Sequence, residues 1–219
     1  MRTKSDWLQI LRGVAILAAL LHPAWSSGQT PSSFEFGRID VIVDGTSHQL
    51  ETMTVRPRAT GKRPLAVITH GGGSPGARER TPMQMSIVAQ ELAARGWLSV
   101  VVMRRGFGAS TGSPGTWPGC GKVDYVTLGM ESAKDLRAAV EVLRKRDDVD
   151  ANTVVIVGQS TGGFAVVALG SRPPEGVRAI INFAGGHGAM RPGEVCQPDD
   201  LVSATRTFGE TGRLPALWV

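Results

Sequence analysis

Short unbroken apolar runs alternate with longer amphipathic stretches along most of this chain. Residues 65–69, 98–103, 153–158 and 177–183 are apolar over the length of one strand, as expected for strands buried on both faces of a parallel sheet. Between them the period changes. Val126, Met130, Ala133, Leu136, Val140 and Leu143 recur every three or four residues, with Glu131, Lys134, Arg137, Glu141 and Lys145 on the opposite side. That spacing predicts an amphipathic helix over about 124–146. A second helix is expected after Thr81 as N-cap, with Pro82 at its first position and Gln84 closing a capping box. Met85, Val88, Ala89 and Leu92 form its apolar face, and Gly96 ends it. Further along, a helix runs from the turn at 158–162 to about Gly170, another covers 201–208, and a last apolar strand starts at Pro215. Near the start, 39–43 and 49–55 alternate as strands do, and Asp44-Gly45 between them is a hairpin turn. Residues 29–38 are polar and read as a flexible lead-in. Strands alternating with helices predict an α/β domain over 39–219: a mostly parallel sheet with helices on both faces and an antiparallel hairpin at one edge.

Two glycine-rich turns sit where this pattern places strand ends. Gly158-Gln159-Ser160-Thr161-Gly162 lies between an apolar strand and an apolar helix. In that setting G-x-S-x-G is a nucleophile elbow, a tight turn that lifts the serine hydroxyl above the sheet. Ser160 is therefore the candidate nucleophile, and it needs a general base to take its proton. His70-Gly71-Gly72-Gly73 follows the strand at 65–69. A glycine loop there can aim backbone N–H groups at a developing oxyanion. Gly72, with Gly73 as the other choice, and Thr161 are the candidate donors, and His70 has the place of a residue that fixes the loop. A phosphate-binding loop is excluded, because no lysine and hydroxyl residue follow Gly71 to Gly76.

Composition narrows the classes. With 42% hydrophobic and 20% charged residues the chain is ordinary globular protein. A net charge of +5 without a basic stripe gives no footprint for nucleic acid. Arg2, Lys4 and Arg12 precede or flank the apolar run 14–21, and Pro23 and small residues to Gly28 follow. Residues 1–28 thus predict an export signal, cut after Ser26 or Gly28, and a secreted or periplasmic protein. The run is too short for a lasting membrane anchor. Export would put Cys120 and Cys196 in an oxidising compartment, where a disulfide and two separate thiols both remain open. Two distant cysteines do not make a zinc site, and no cofactor motif is present.

Ser160 in its elbow and the H-G-G-G loop, on these elements and in this order, resemble the α/β-hydrolase family, in its dienelactone-hydrolase-like and prolyl-oligopeptidase-like branches. Arg105-Gly106-Phe107-Gly108-Ala109-Ser110 is similar to that family's D-x-R-G-x-G-x-S loop, with Met103 in place of the aspartate. The resemblance spans about 39–219. It implies a serine hydrolase that acts on a small carboxylic ester, lactone or similar acyl substrate through an acyl-enzyme on Ser160. It also implies a chain order of nucleophile, acid, histidine, with the acid at the end of the strand that begins at Pro215. The acid and base are accordingly expected beyond residue 219, and the chain reads as a fragment or truncated product. Only His187 follows Ser160 within the sequence. It is the internal candidate for the base, set in a glycine loop that holds side chains poorly. Asp199 and Asp200 offer an acid or, more simply, a cap for the helix at 201. A non-catalytic protein that keeps the pocket and binds an acyl ligand or partner is the alternative.

Overall fold

The computed structural model describes residues 33–58, 60–72, 81–115 and 117–219. The expected export signal lies outside these. Among the described residues, nine strands and four helices follow in the order β1 (Ser33–Val43), β2 (Thr46–Arg56), β3 (Arg63–Thr69), α1 (Ser86–Ala94), β4 (Leu98–Val102), α2 (Tyr125–Leu143), β5 (Val149–Gln159), α3 (Thr161–Ser171), β6 (Val177–Phe183), β7 (Ala189–Arg191), β8 (Glu194–Val195), α4 (Pro198–Thr211) and β9 (Ala216–Trp218). Seven strands form one sheet in the order β1-β2-β4-β3-β5-β6-β9. β1, β2 and β4 pair antiparallel, and every pairing from β4 to β9 is parallel.

The apolar strands at the centre bury both faces, as their sequence demands. Leu65, Val67, Val100, Val154 and Ile156 pack with α2, α3 and α4 on one side. Ala66, Ile68, Val101, Val155 and Val157 pack with Ala89 and Ala93 of α1 on the other. α3 is buried from Gly162 to Gly170, which explains its uniformly apolar sequence. The hairpin turns at Asp44 and Gly45, both with positive φ (50° and 77°), so the two-residue turn matches the strand twist.

Four expectations change. The lead-in is part of β1 from Ser33 onward, because β2 continues to Arg56 and pairs with it; Arg56 Nε binds Glu35 at 2.8 Å. α1 starts at Ser86, not at the Thr81–Gln84 capping signal. Met85 precedes it in the left-handed region (φ 63°), and Met83 and Met85 pack on the core instead of extending the helix. In α2, Asp124 is the N-cap and accepts from Thr127 N at 3.1 Å. Val126 is exposed there, and Tyr125 takes the buried place. α4 begins at Pro198 with Gln197 before it; Asp199 and Asp200 occupy its first turn, where they complement the helix dipole, and neither is the N-cap. The loop at 184–200 contains the small β7–β8 hairpin, which the sequence pattern missed. No described helix is long and apolar enough to cross a membrane.

Candidate active site

β5 runs straight into α3, and Ser160 is the single residue between them. It has φ 52° and ψ −121° and is exposed. A serine held there is strained by about 1–2 kcal/mol, a cost borne only where the surroundings fix the turn. The neighbouring glycines are that fixing. A Cβ on Gly158 would lie 2.3 Å from Gly162 O, and one on Gly162 would lie 2.2 Å from His70 O. Only bare backbone lets strand, helix and the β3 loop meet at this distance. Three backbone bonds close the turn: Ser160 N–H donates to Phe183 O (2.9 Å), and Ser160 O accepts from Phe164 N (3.0 Å) and Gly186 N (3.1 Å).

The β3 loop lies directly over the elbow. A Cβ on Gly71 would be 3.3 Å from Ser160 Cβ, and one on Gly72 would be 3.1 Å from Thr161 Cγ2. Thr161 is the first residue of α3, so its N–H has no partner within the helix and adds to the positive end of the helix dipole. Gly72, Ser160 and Thr161 share one cleft of about 900 Å3. The candidate nucleophile and two of the candidate oxyanion donors are thus brought together in one place. Gly73, the other candidate donor, is outside the described residues.

His70 and Arg104 hold this loop in place. His70 is fully buried; its Nε2 accepts Arg104 N–H at 3.1 Å and its Nδ1 meets Gly71 O at 2.6 Å. Burial, reinforced by the Arg104 charge and opposed by the Gly71 carbonyl, pushes its pKa down to about 3. His70 is thus a neutral loop anchor with both ring nitrogens committed to backbone. Arg104 Nη2 donates to His70 O and Gly71 O (3.2 Å each) and to Thr161 Oγ1 (3.0 Å). One buried guanidinium therefore ties the loop to the elbow.

His187 lies in the same cleft. Its Nδ1 accepts Gly188 N–H at 2.9 Å, which leaves the proton of the neutral ring on Nε2. A base that takes a serine proton through Nε2 needs the opposite tautomer. The ring instead stacks on Trp117, with centroids 5.1 Å apart and planes 16° apart, and meets Tyr125 and Phe164 edge-on. No histidine–carboxylate hydrogen bond is present among the described residues.

Cys120 and Cys196 are joined by a disulfide. It links the loop after β4 to the loop before α4, and Tyr125 Oη and Val123 N bind Cys196 O and Gln197 Oε1 beside it. Met103, at the position of the resembled motif's aspartate, is fully buried and is not among the residues lining the cleft. Glu51 of β2 anchors the same loop: its Oε2 accepts Ala109 N–H (2.7 Å), and its N–H donates to Ser110 Oγ (2.8 Å). Arg105 pairs with buried Asp135, whose Oδ2 accepts Arg105 N–H at 3.0 Å. Glu51 inside β2, Arg104 just past the end of β4 and Trp117 in the loop after it went unnoticed in the sequence.

The chain is similar to several known proteins. The quorum-quenching protein AidA of Acinetobacter baumannii is 31% identical over 131 residues, which cover 59% of this chain and 38% of that protein. The match thus takes in well under half of that relative's length. Among solved structures, an esterase from Pyrococcus furiosus aligns with a TM-score of 0.58 at 14% identity, over 84% of this chain and 70% of that one. An acylaminoacyl peptidase from Pyrococcus horikoshii aligns at 0.57 and 16%, over 85% of this chain and 32% of that one. Both share the fold. A family profile described as Serine aminopeptidase, S33, matches residues 62–204, well over half of the chain. The protein belongs to this family within the α/β-hydrolase superfamily.

Proposed function

We propose that this domain carries out acyl transfer on Ser160, hydrolysing a carboxylic ester, lactone or similar bond. The observation that carries the proposal is the strained, exposed Ser160 at a glycine-walled elbow, with the Gly71-Gly72 loop in contact above it. Ser160 Oγ attacks the carbonyl carbon and its proton passes to a general base. The carbonyl oxygen takes the electron pair as an oxyanion facing Gly72 and Thr161 N–H. Collapse breaks the bond to the leaving alkoxide, which is protonated, and water then releases the acid by the reverse sequence. His70 has both ring nitrogens in backbone bonds and His187 Nδ1 accepts Gly188 N–H, so this proposal assigns the base to neither. The base and its acid are therefore sought outside the described residues. The same chemistry fits the esterase and peptidase neighbours.

The unsuited histidines favour a second reading, a protein that binds an acyl ligand without turnover. Trapping separates the two. Incubation with p-nitrophenyl acetate and imidazole as external base is expected to leave one acetyl group on Ser160, mapped by peptide mass spectrometry and absent in Ser160→Ala. Equal p-nitrophenol release by both proteins, with no acetyl group on Ser160, overturns the catalytic reading.

A further inference from the structure

Beside the elbow the cleft changes character. The charged groups that line it are all engaged: Arg105 with Asp135, Glu131 with Lys134 at 2.7 Å, and Arg104 with the loop carbonyls. Apart from Ser113 and Ser132, the side chains of that wall are apolar or aromatic. Trp117, Leu128, Met190, Val195 and Leu201 all face the cleft. Leu128 and Leu201 rest on the core, whereas Met190 and Val195 stand exposed, at 57% and 38%.

The Trp117–His187 stack is the fixed part of this wall. Trp117 comes from the loop after β4 and His187 from the loop after β6, and the Cys120–Cys196 disulfide joins the same two loops. Cys196 N–H also donates to Gly188 O at 2.9 Å, next to His187. At the other end, Gly186 N–H is bonded to Ser160 O. The stack is thus stapled at one side and tied to the elbow at the other. Rigid aromatic surface next to exposed methionine and valine binds apolar groups and loses little entropy in doing so.

We infer that the Trp117–His187 stack is the wall of an apolar subsite that receives the hydrocarbon chain of an acyl substrate whose carbonyl lies at Ser160. This rests on the reading of the cleft as an acyl site. Two features set the ligand class: the charged groups lining the cleft are already engaged, so an ionic substituent gains little, and the remaining surface is mostly apolar.

Binding of unreactive ketones tests the subsite without needing turnover. Hexyl methyl ketone and acetone, which share the carbonyl and differ in the chain, are titrated into Ser160→Ala by calorimetry. Saturable binding of hexyl methyl ketone, at least about tenfold tighter than acetone, is expected. Adding Trp117→Ala should weaken hexyl methyl ketone about tenfold, and Trp117→Phe, which retains a ring, should restore most of it. Unchanged binding in Trp117→Ala, or no preference for the longer ketone, overturns the inference. Chain-dependent binding lost in Trp117→Ala, in a protein that never acylates Ser160, upholds the subsite and sinks only the catalytic reading.

Discussion

Arg104 Nη2 donates to Thr161 Oγ1 across 3.0 Å, and the same nitrogen holds the carbonyl oxygens of His70 and Gly71. The strand-end loop and the elbow are therefore one rigid unit, and both proposed oxyanion donors belong to it. Arg104 acts as a positioning residue. Arg104→Met should slow Ser160 acetylation by p-nitrophenyl acetate about 10- to 100-fold while leaving hexyl methyl ketone binding within about twofold. Arg104→Lys, which keeps the charge on a side chain that ends short of the Nη2 position, should recover only part of the rate. Equal acetylation rates in the three proteins would remove Arg104 from the mechanism.

Gly162→Ala should destabilise the protein although alanine favours helix. The new Cβ would meet His70 O at 2.2 Å and Thr69 Cγ2 at 2.8 Å, and the first of these is backbone that cannot turn aside. A loss of about 2–4 kcal/mol in urea unfolding is expected, well above the ~1 kcal/mol that alanine gains over glycine in a helix. A neutral or stabilising effect would mean that the elbow and the β3 loop are not in contact.

His70 gives the fold an acid limit. Its folded pKa is held at about 3 against an ordinary 6.5, chiefly by burial. As pH falls below about 6.5 the unfolded chain takes up a proton that the folded ring refuses until about pH 3, so stability is lost across that window. The loss is on the order of 4 kcal/mol at the acid end. Carboxylates such as Asp148, held low by Arg146, add to it only below roughly pH 4. Urea midpoints between about pH 4 and 6.5 should therefore fall steadily, and His70→Gln should flatten the slope. The same slope in both proteins would contradict the burial of a neutral His70.

The Cys120–Cys196 bridge spans 76 residues. Closing a loop of that size restricts the unfolded chain by about 4 kcal/mol in the chain-entropy account. The double variant Cys120→Ser/Cys196→Ser should lose about 2–4 kcal/mol of stability. It should also weaken hexyl methyl ketone, because the two loops that stack Trp117 on His187 are no longer stapled. A variant as stable as the parent would show that the pinned loops contribute nothing to folding.

What the sequence made legible is what is local. The apolar run before Ser160, the glycines around it and the apolar helix behind it are contiguous, so strand, turn and helix follow from adjacent residues. The hairpin at Asp44-Gly45 is legible for the same reason. Contacts across long stretches of chain were not. Arg104 meets Thr161 over 57 residues, and Glu51 anchors Ala109 over 58, with no pattern at either end to announce them. The early start expected for α1 failed because tertiary packing of Met83 and Met85 overrode a good capping signal. His187 shows the limit most plainly: its place in the chain made it a candidate base, whereas its Gly188 N–H bond and its stack on Trp117 are visible only in the structure.

The most direct test of Ser160 as nucleophile is the site and extent of its modification by a fluorophosphonate, read by peptide mass spectrometry on the folded chain with imidazole as external base. The account expects one adduct per chain on Ser160, absent in Ser160→Ala and in urea-unfolded protein. An unmodified Ser160 in the folded chain, or labelling that persists equally after unfolding, would contradict it.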